Sequence, residues 1–332
     1  SKMDAKFRTV VSIPEFRFKT GYNHLNMFLG SCFTENIGAK MAELKYPVDL
    51  NPFGILYNPA SVAESLRILM NGKSFSEADL FKQEGLWHSL LHHSRFSGVD
   101  MEETLEKINS RIKTSSEYLK NAGFLFITFG TAWIYRFKNT GQIVSNCHKL
   151  PASDFIRTRL SVDEIAEDYK NLTEKLKEFN PNLKVVFTVS PVRHWRDGAT
   201  ENQRSKAILH LAVEQIIKNT DGICNYFPAF ELVMDELRDY RFYTPDMIHI
   251  SDVAVDFIWD KFEAALINAE SRQISVKVRK LKQALNHRPF NTNTDEYINF
   301  VKQTNEQILK LENEFKNIDF TEEKMYFFRS EK

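Results

Sequence analysis

Four short runs of the chain are apolar at almost every position: "HLNMFLGS" (24–31), "GFLFITFG" (123–130), "LKVVFTVSP" (183–191) and "GICNYFPAF" (222–230). Continuous rather than alternating hydrophobicity marks strands buried on both faces, as in a parallel sheet. Between these runs the apolar residues recur at helical spacing. Ile37, Met41 and Leu44 follow Ser31; Ile165, Tyr169, Leu172 and Leu176 run through 162–179; Ile208, Leu211, Ile216 and Ile217 run through 202–218. Strands alternating with helices are βαβ units, which build a doubly wound α/β fold. A weaker strand falls near 47–57, "PVDLNPFGILY", where two prolines sit awkwardly with a sheet. A last core helix begins at the capping residue Ser251 and continues as "DVAVDFIWDKFEAALINA".

Two segments are longer than a plain βα connection needs. The first, 75–98, contains "EGLWHSLLHHSRFSG". The second, 132–149, reads "AWIYRFKNTGQIVSNCHK", and "KNTG" between β-rich runs predicts a hairpin. Insertions of this kind carry function or cover a site. Past residue 270 the pattern is helical: one helix stops near Pro289, and "DEYINFVKQTNEQILKLENEF" sets Val301, Ile308, Leu311 and Phe315 along one face. The expected organisation is an α/β domain over 1–270 and a helical C-terminal extension over 271–332 packed on it.

The 332 residues carry 44 Lys+Arg and 44 Asp+Glu, so the net charge is zero. That leaves no electrostatic footprint for a nucleic acid or an acidic membrane surface. The basic run "KVRKLK" (277–282) reads as a solvated helix face. Cys32, Cys147 and Cys224 show no CxxC spacing, which argues against a disulfide framework and a cysteine zinc site. No apolar stretch approaches the ~20 residues of a membrane helix, and the N-terminus lacks the apolar core of a signal peptide. With Met3 read as the natural start, a cytoplasmic setting is expected. No metal or organic cofactor is implied.

In a doubly wound sheet, ligands bind beyond the carboxyl ends of the strands. The chemistry-bearing residues fall there. Ser31 ends the first run, Gly130-Thr131 the second, and "TVSPVRH" places Ser190, Arg193 and His194 after the third. "YTPDMIHIS" puts Asp246 and His249 three apart before the last helix. A serine at a strand-to-helix turn faces the positive end of the helix dipole, which can stabilise an oxyanion. It needs an adjacent base; His249 can serve, with Asp246 fixing its tautomer. Each residue also has a plainer reading, as turn chemistry for Ser31 and as helix capping for Asp246. Arg193 and His194 can bind an anionic or sugar group, or Arg193 can pair with a structural carboxylate. Cys32 is either a second nucleophile or a small buried residue. His88 and His92, four apart, would share a face of a helix, but "HSLLH" lacks the glutamate of a zinc motif. They are read with a lid or substrate-recognition insert, or with a packed turn.

"LGSCFTENIG" (29–38) resembles the motif that names the GSCFA family, grouped with the SGNH (GDSL-like) hydrolases. "NPFGILYNP" (51–59), "WHSLLHHSRFSG" (87–98), "NCHKLP" (146–151), "TVSPVRH" (188–194) and "PDMIHIS" (245–251) are similar to it too, over residues 5 to 270. The resemblance implies a three-layer α/β/α sandwich around about five parallel strands. It also implies a serine esterase acting on an acylated carbohydrate or other small molecule. Carried over, Ser31 matches the nucleophile, and Asp246 with His249 the last block. The amides of Ser31 and Gly54 match oxyanion donors. The G-x-N block reads Gly130-Thr131-Ala132, without its asparagine. Asn146 is the favoured replacement, with His148 and Thr131 as others near the site. Acyl transfer by the same serine and a non-catalytic ligand-binding role remain the alternatives.

Overall fold

The apolar runs become the central sheet because each presents side chains to both of its faces. The computed structural model describes residues 7–287, 289 and 291–330. Its strands are β1 (Asn26–Gly30), β2 (Val48–Leu50), β3 (Phe124–Phe129), β4 (Lys184–Val189) and β5 (Cys224–Tyr226). All neighbours pair parallel, in the order β2-β1-β3-β4-β5. The weak strand is real but only three residues long, bracketed by Pro47 and Pro52.

Successive residues of each strand feed opposite cores. Met27, Leu29, Leu125, Ile127, Phe129, Val185 and Phe187 pack with α2 (Pro59–Asn71), α3 (Met101–Asn121), α4 (Val162–Phe179) and α5 (Ala199–Lys218). Phe28, Phe124, Phe126 and Val186 face the other way. They pack with α1 (Cys32–Glu43), α6 (Asp252–Leu266), α7 (Ala269–Asn286) and α8 (Asp295–Glu314). This is the expected three-layer sandwich, with a helical C-terminal region against its second face. The last helix, α9 (Thr321–Ser330), is joined to the turn after α1 by a Lys45–Glu323 ion pair.

Helix starts follow local chemistry. Asn58, Asp100, Ser161 and Ser251 each accept an amide of the first turn of α2, α3, α4 and α6. Helix α5 departs from its sequence pattern. Its inward residues are Leu209, Ala212, Val213 and Ile216, whereas Leu211 is exposed and Ile208 half-buried. Polar Asn202, Ser205 and Lys206 hold the inward positions of its first two turns.

Both insertions are antiparallel β. Residues 80–83 pair with 86–89 around a Glu84-Gly85 turn, and Trp133–Phe137 pairs across "KNTG" with Ile143–Val144. Phe155–Arg159 completes the second sheet. Among the described residues no helix is long and apolar enough to cross a membrane.

Gly30 has φ +137, and a side chain there would overlap the Thr128 carbonyl of β3. Gly85 has φ +79 but open space around it. Gly30→Ala should therefore lower stability by more than about 3 kcal/mol or prevent folding. Gly85→Ala should cost only about 1–2 kcal/mol, the left-handed backbone penalty. Urea unfolding midpoints compare the two.

Candidate active site

Strand order reverses between β1 and β3, so the switch point of the sheet lies at their carboxyl ends. Ser31 occupies it as the N-cap of α1, yet its side chain makes no capping bond. The residue is 1% exposed, and its Oγ has no hydrogen-bond partner. A hydroxyl sealed at a helix N-terminus without a partner is unusual, since buried polar groups are nearly always bonded. Beside it, Gly130 is a point of close approach: a methyl group there would stand only 3.2 Å from Ser31 Cβ and 3.2 Å from His194 Nε2. Ser31 and His194 thus flank Gly130, which has no room for a side chain. Tyr57 closes another side, its ring edge-on to His194 at 5.9 Å and its carbonyl accepting the Gly130 and Thr131 amides at 2.9 Å.

The floor comes from the polar turns of α5. Asn202 Oδ1 accepts the His194 amide at 2.8 Å, Ser205 Oγ accepts the Ala132 amide at 2.8 Å, and Lys206 Nζ donates to the Gly130 carbonyl at 2.7 Å. Lys206 is 1% exposed. Burial lowers its ammonium to about 7. Burial, aided by the Lys206 charge, lowers His194 to about 4, so its ring is neutral. None of these three α5 residues was singled out by the sequence pattern. Their signal is there, however: Asn202, Ser205 and Lys206 stand at i, i+3 and i+4, the spacing of a core stripe, with polar side chains.

Asp246 and His249 meet in the loop before α6. Asp246 Oδ1 accepts from Thr244 Oγ1, Ile248 N and His249 N at 2.7, 2.9 and 3.0 Å, and Oδ2 accepts the His249 Nδ1 proton at 2.6 Å. These bonds, the Thr244 hydroxyl foremost, hold the Asp246 carboxyl well below the usual carboxylate range. With Nδ1 pinned, Nε2 of His249 remains to act as a base. Both side chains are half-exposed. Since Ser31 Oγ has no partner, His249 Nε2 is not within hydrogen-bond distance of it. His249 lies close enough to His194 to contribute, as the smallest cause, to its lowered basicity. Arg193, Trp195, Tyr240, Tyr243 and Met247 line a cleft of about 510 Å³ beside Asp246. Arg193 donates to the Tyr243 hydroxyl at 3.1 Å.

Several expected roles do not fit the geometry. The Ser31 amide donates to Thr128 O at 3.2 Å and the Gly54 amide to Asn51 O at 2.8 Å, so neither expected oxyanion donor is free. Gly54 has φ +80 and sits where a side chain would overlap His93; it serves a tight turn. Asn146 closes its own turn, its Oδ1 accepting the His148 amide at 2.8 Å. Thr131 is buried, its hydroxyl committed to Ser205 and to the Trp133 amide. His88 lies on a strand and His92 in a turn, so they share no helix face. Both are buried with His148: the His88 and His148 rings stack at 4.4 Å, and His92 lies against Phe53, Phe75 and Phe96. Among the described residues no group of three or more His, Cys, Asp or Glu could hold a metal ion. Cys32 is half-buried, and burial pushes its thiol up, away from nucleophilic character.

A flavodoxin-like sandwich with a serine at its switch point and an Asp–His pair in its last loop defines a class of α/β protein. Within it, the chain belongs to the GSCFA family. That family's sequence profile matches residues 26–262, and the profile described as GSCFA domain protein, C-terminal domain, matches 278–330. Comparison with curated proteins gives no match. Among solved structures the chain is similar to a family 3 carbohydrate esterase of Clostridium thermocellum, with 9% identity and a TM-score of 0.34, covering 78% of this chain and 98% of that one. It is also similar to an acetyl xylan esterase from the rumen bacterium Butyrivibrio proteoclasticus, with 11% identity and a TM-score of 0.36, covering 76% of this chain and 65% of that one.

Burial lowers His92 to about 3 and His148 to about 4, so both are neutral in the folded protein. Unfolded, each takes up a proton near pH 6.5. The unfolded chain then binds more protons, and stability falls as pH drops from about 6.5 towards 3–4, at about 1.4 kcal/mol per pH unit for each histidine. Stability above that window is unaffected by these groups. His92→Leu should flatten this acid slope by about one proton, measured as urea-unfolding free energy against pH.

Proposed function

We propose that this GSCFA protein is a serine ester hydrolase of SGNH type acting on an acylated carbohydrate or similar small molecule. The observation that carries this reading is the unpartnered, buried Ser31 hydroxyl at the start of α1, on the switch point of the sheet. Ser31 Oγ attacks the ester carbonyl and gives its proton to His249 Nε2. The carbonyl becomes a tetrahedral oxyanion; its collapse expels the alcohol, which takes the proton from His249. Water then repeats the sequence and releases the acid, with Asp246 holding the imidazole throughout. Since the Ser31 and Gly54 amides are committed, the oxyanion is assigned to the first turn of α1. There the Cys32 and Phe33 amides face the Cys32 thiol. The reaction requires His249 to close onto Ser31. Exposed Trp195, Tyr240 and Tyr57 offer flat amphipathic rings for a sugar. A cytoplasmic setting is compatible with three free thiols.

The gap between Ser31 and His249 favours one other reading, a ligand-binding protein without the chemistry. Labelling with a fluorophosphonate, read by intact mass and peptide mapping, decides between them. Stoichiometric modification at Ser31 is expected, absent in Ser31→Ala and about 10⁴-fold slower in His249→Ala and Asp246→Asn. His194→Ala should keep most of the rate; if it, and not His249→Ala, abolishes labelling, the base is His194. Folded protein that stays unlabelled while a control serine esterase reacts supports the binding reading.

A further inference from the structure

Lys206 has no part in the steps above, yet it is the most deeply placed charge near them. Its ammonium is enclosed on every side, and no carboxylate is bonded to it among the described residues. It donates a hydrogen bond to the Gly130 carbonyl, at 2.7 Å. Gly130 is the residue that Ser31 and His194 flank, too closely for a side chain to stand between them. The groups that face Lys206 electrostatically are Cys32 from α1, Arg193 and His194 from the segment after β4, and His210 one turn further along α5. Arg193 opposes its charge, and His194 and His210, both lowered to about 4 by burial, are neutral and do not balance it. A buried ammonium without an anion is costly, and a negative charge forming at Ser31 would relieve that cost.

We propose that Lys206 is a positioning residue of this site: its ammonium holds the Gly130 carbonyl, and with it the wall beside Ser31, and sets a buried positive charge beneath the point where the oxyanion forms. The inference rests on the serine-esterase reading. It goes beyond that reading by giving the missing G-x-N amide an electrostatic substitute on a different element. Lysine can supply this because burial brings its titration to about 7, so the charge is present on the acid side and lost as pH rises.

The test is the rate of fluorophosphonate labelling at Ser31 from pH 6 to 8.5, in the wild type, Lys206→Arg and Lys206→Met. Circular dichroism and thermal unfolding check the fold of each. Each rate is read relative to Lys206→Met at the same pH, so that the shared dependence on His249 cancels. On that scale the wild type should fall about tenfold with a midpoint near 7, and Lys206→Arg should hold level, because a guanidinium stays charged. Lys206→Met itself should be about 10²–10³-fold slower than wild type at pH 6. A wild-type ratio that does not fall above pH 7 overturns the proposal even if the arginine variant does not fold. So does a folded Lys206→Met that keeps the wild-type rate. A lysine with a merely structural role would lower stability and leave the shape of the profile unchanged. No labelling of wild type removes the esterase reading and this proposal together. Labelling that is indifferent to Lys206 removes this proposal alone.

Discussion

The carboxyl edge of the sheet depends on one backbone contact, the passage of Gly30 past the Thr128 carbonyl. No other residue fits, because φ is +137 and a side chain would enter that carbonyl. The polar groups of Gly30 are then taken up by the loop after β2: its amide donates to Asn51 Oδ1 at 3.0 Å, and its carbonyl accepts from Leu56 at 2.9 Å. Asn51 in turn donates to Glu35 on α1 at 2.9 Å and accepts from Arg95 at 3.0 Å through its carbonyl. Three strand ends and the first turn of α1 are thereby laced together around one glycine. Ser31 inherits its position from that lacing, and on the proposed function the lacing gives the nucleophile the rigid seat that a preorganised site requires.

The same lacing has an electrostatic consequence. It uses up the backbone donors nearest Ser31: its own amide goes to Thr128, that of Gly54 to Asn51, and those of Gly130 and Thr131 to Tyr57. A neighbourhood so fully bonded is stable but offers few N–H groups to a developing anion. What remains positive is the opening turn of α1 and the ammonium of Lys206. On the outer side, the negative charge of Asp246 sits half-exposed, where solvent screens it. The field across the site thus runs from an unscreened buried cation to a screened carboxylate.

The sheet was readable from the chain because burial on both faces leaves no polar alternation to confuse with a helix. Helix 162–179 was readable for the opposite reason, since its buried Ile165, Tyr169, Leu172 and Leu176 are its only apolar stripe. Helix α5 misled because three inward positions carry polar residues, so the apolar ones that pattern alone selects include the exposed Leu211. His88 and His92 suggested a helical pair because spacing says nothing of a hairpin turning at Glu84-Gly85, where both residues have positive φ. The amides of Ser31 and Gly54 were assigned by resemblance. Which carbonyl an amide meets is a tertiary fact, absent from residue spacing. The Asp246–His249 contact was legible because it is local, formed by a turn that three residues determine.

That locality also constrains how the two halves of the site can meet. The loop carrying His249 is closed on itself: Thr244 N donates to His249 O at 2.8 Å, Ser251 N to Phe242 O at 2.8 Å, and Tyr243 bridges to Ile250. Its far end is the N-cap of α6, where Ser251 accepts the Ala254 amide. Four bonds onto Asp246 hold the ring in the same orientation whether or not Ser31 is near. An approach of His249 to Ser31 that rebuilt this turn would lose the bonds that fix its tautomer, and with them the ability to accept a proton at Nε2. On the proposed ester-hydrolase reading, the turn would move as a unit, pivoting where it joins α6 and the Tyr240–Phe242 helix turn, with the open cleft beside Asp246 left for a substrate.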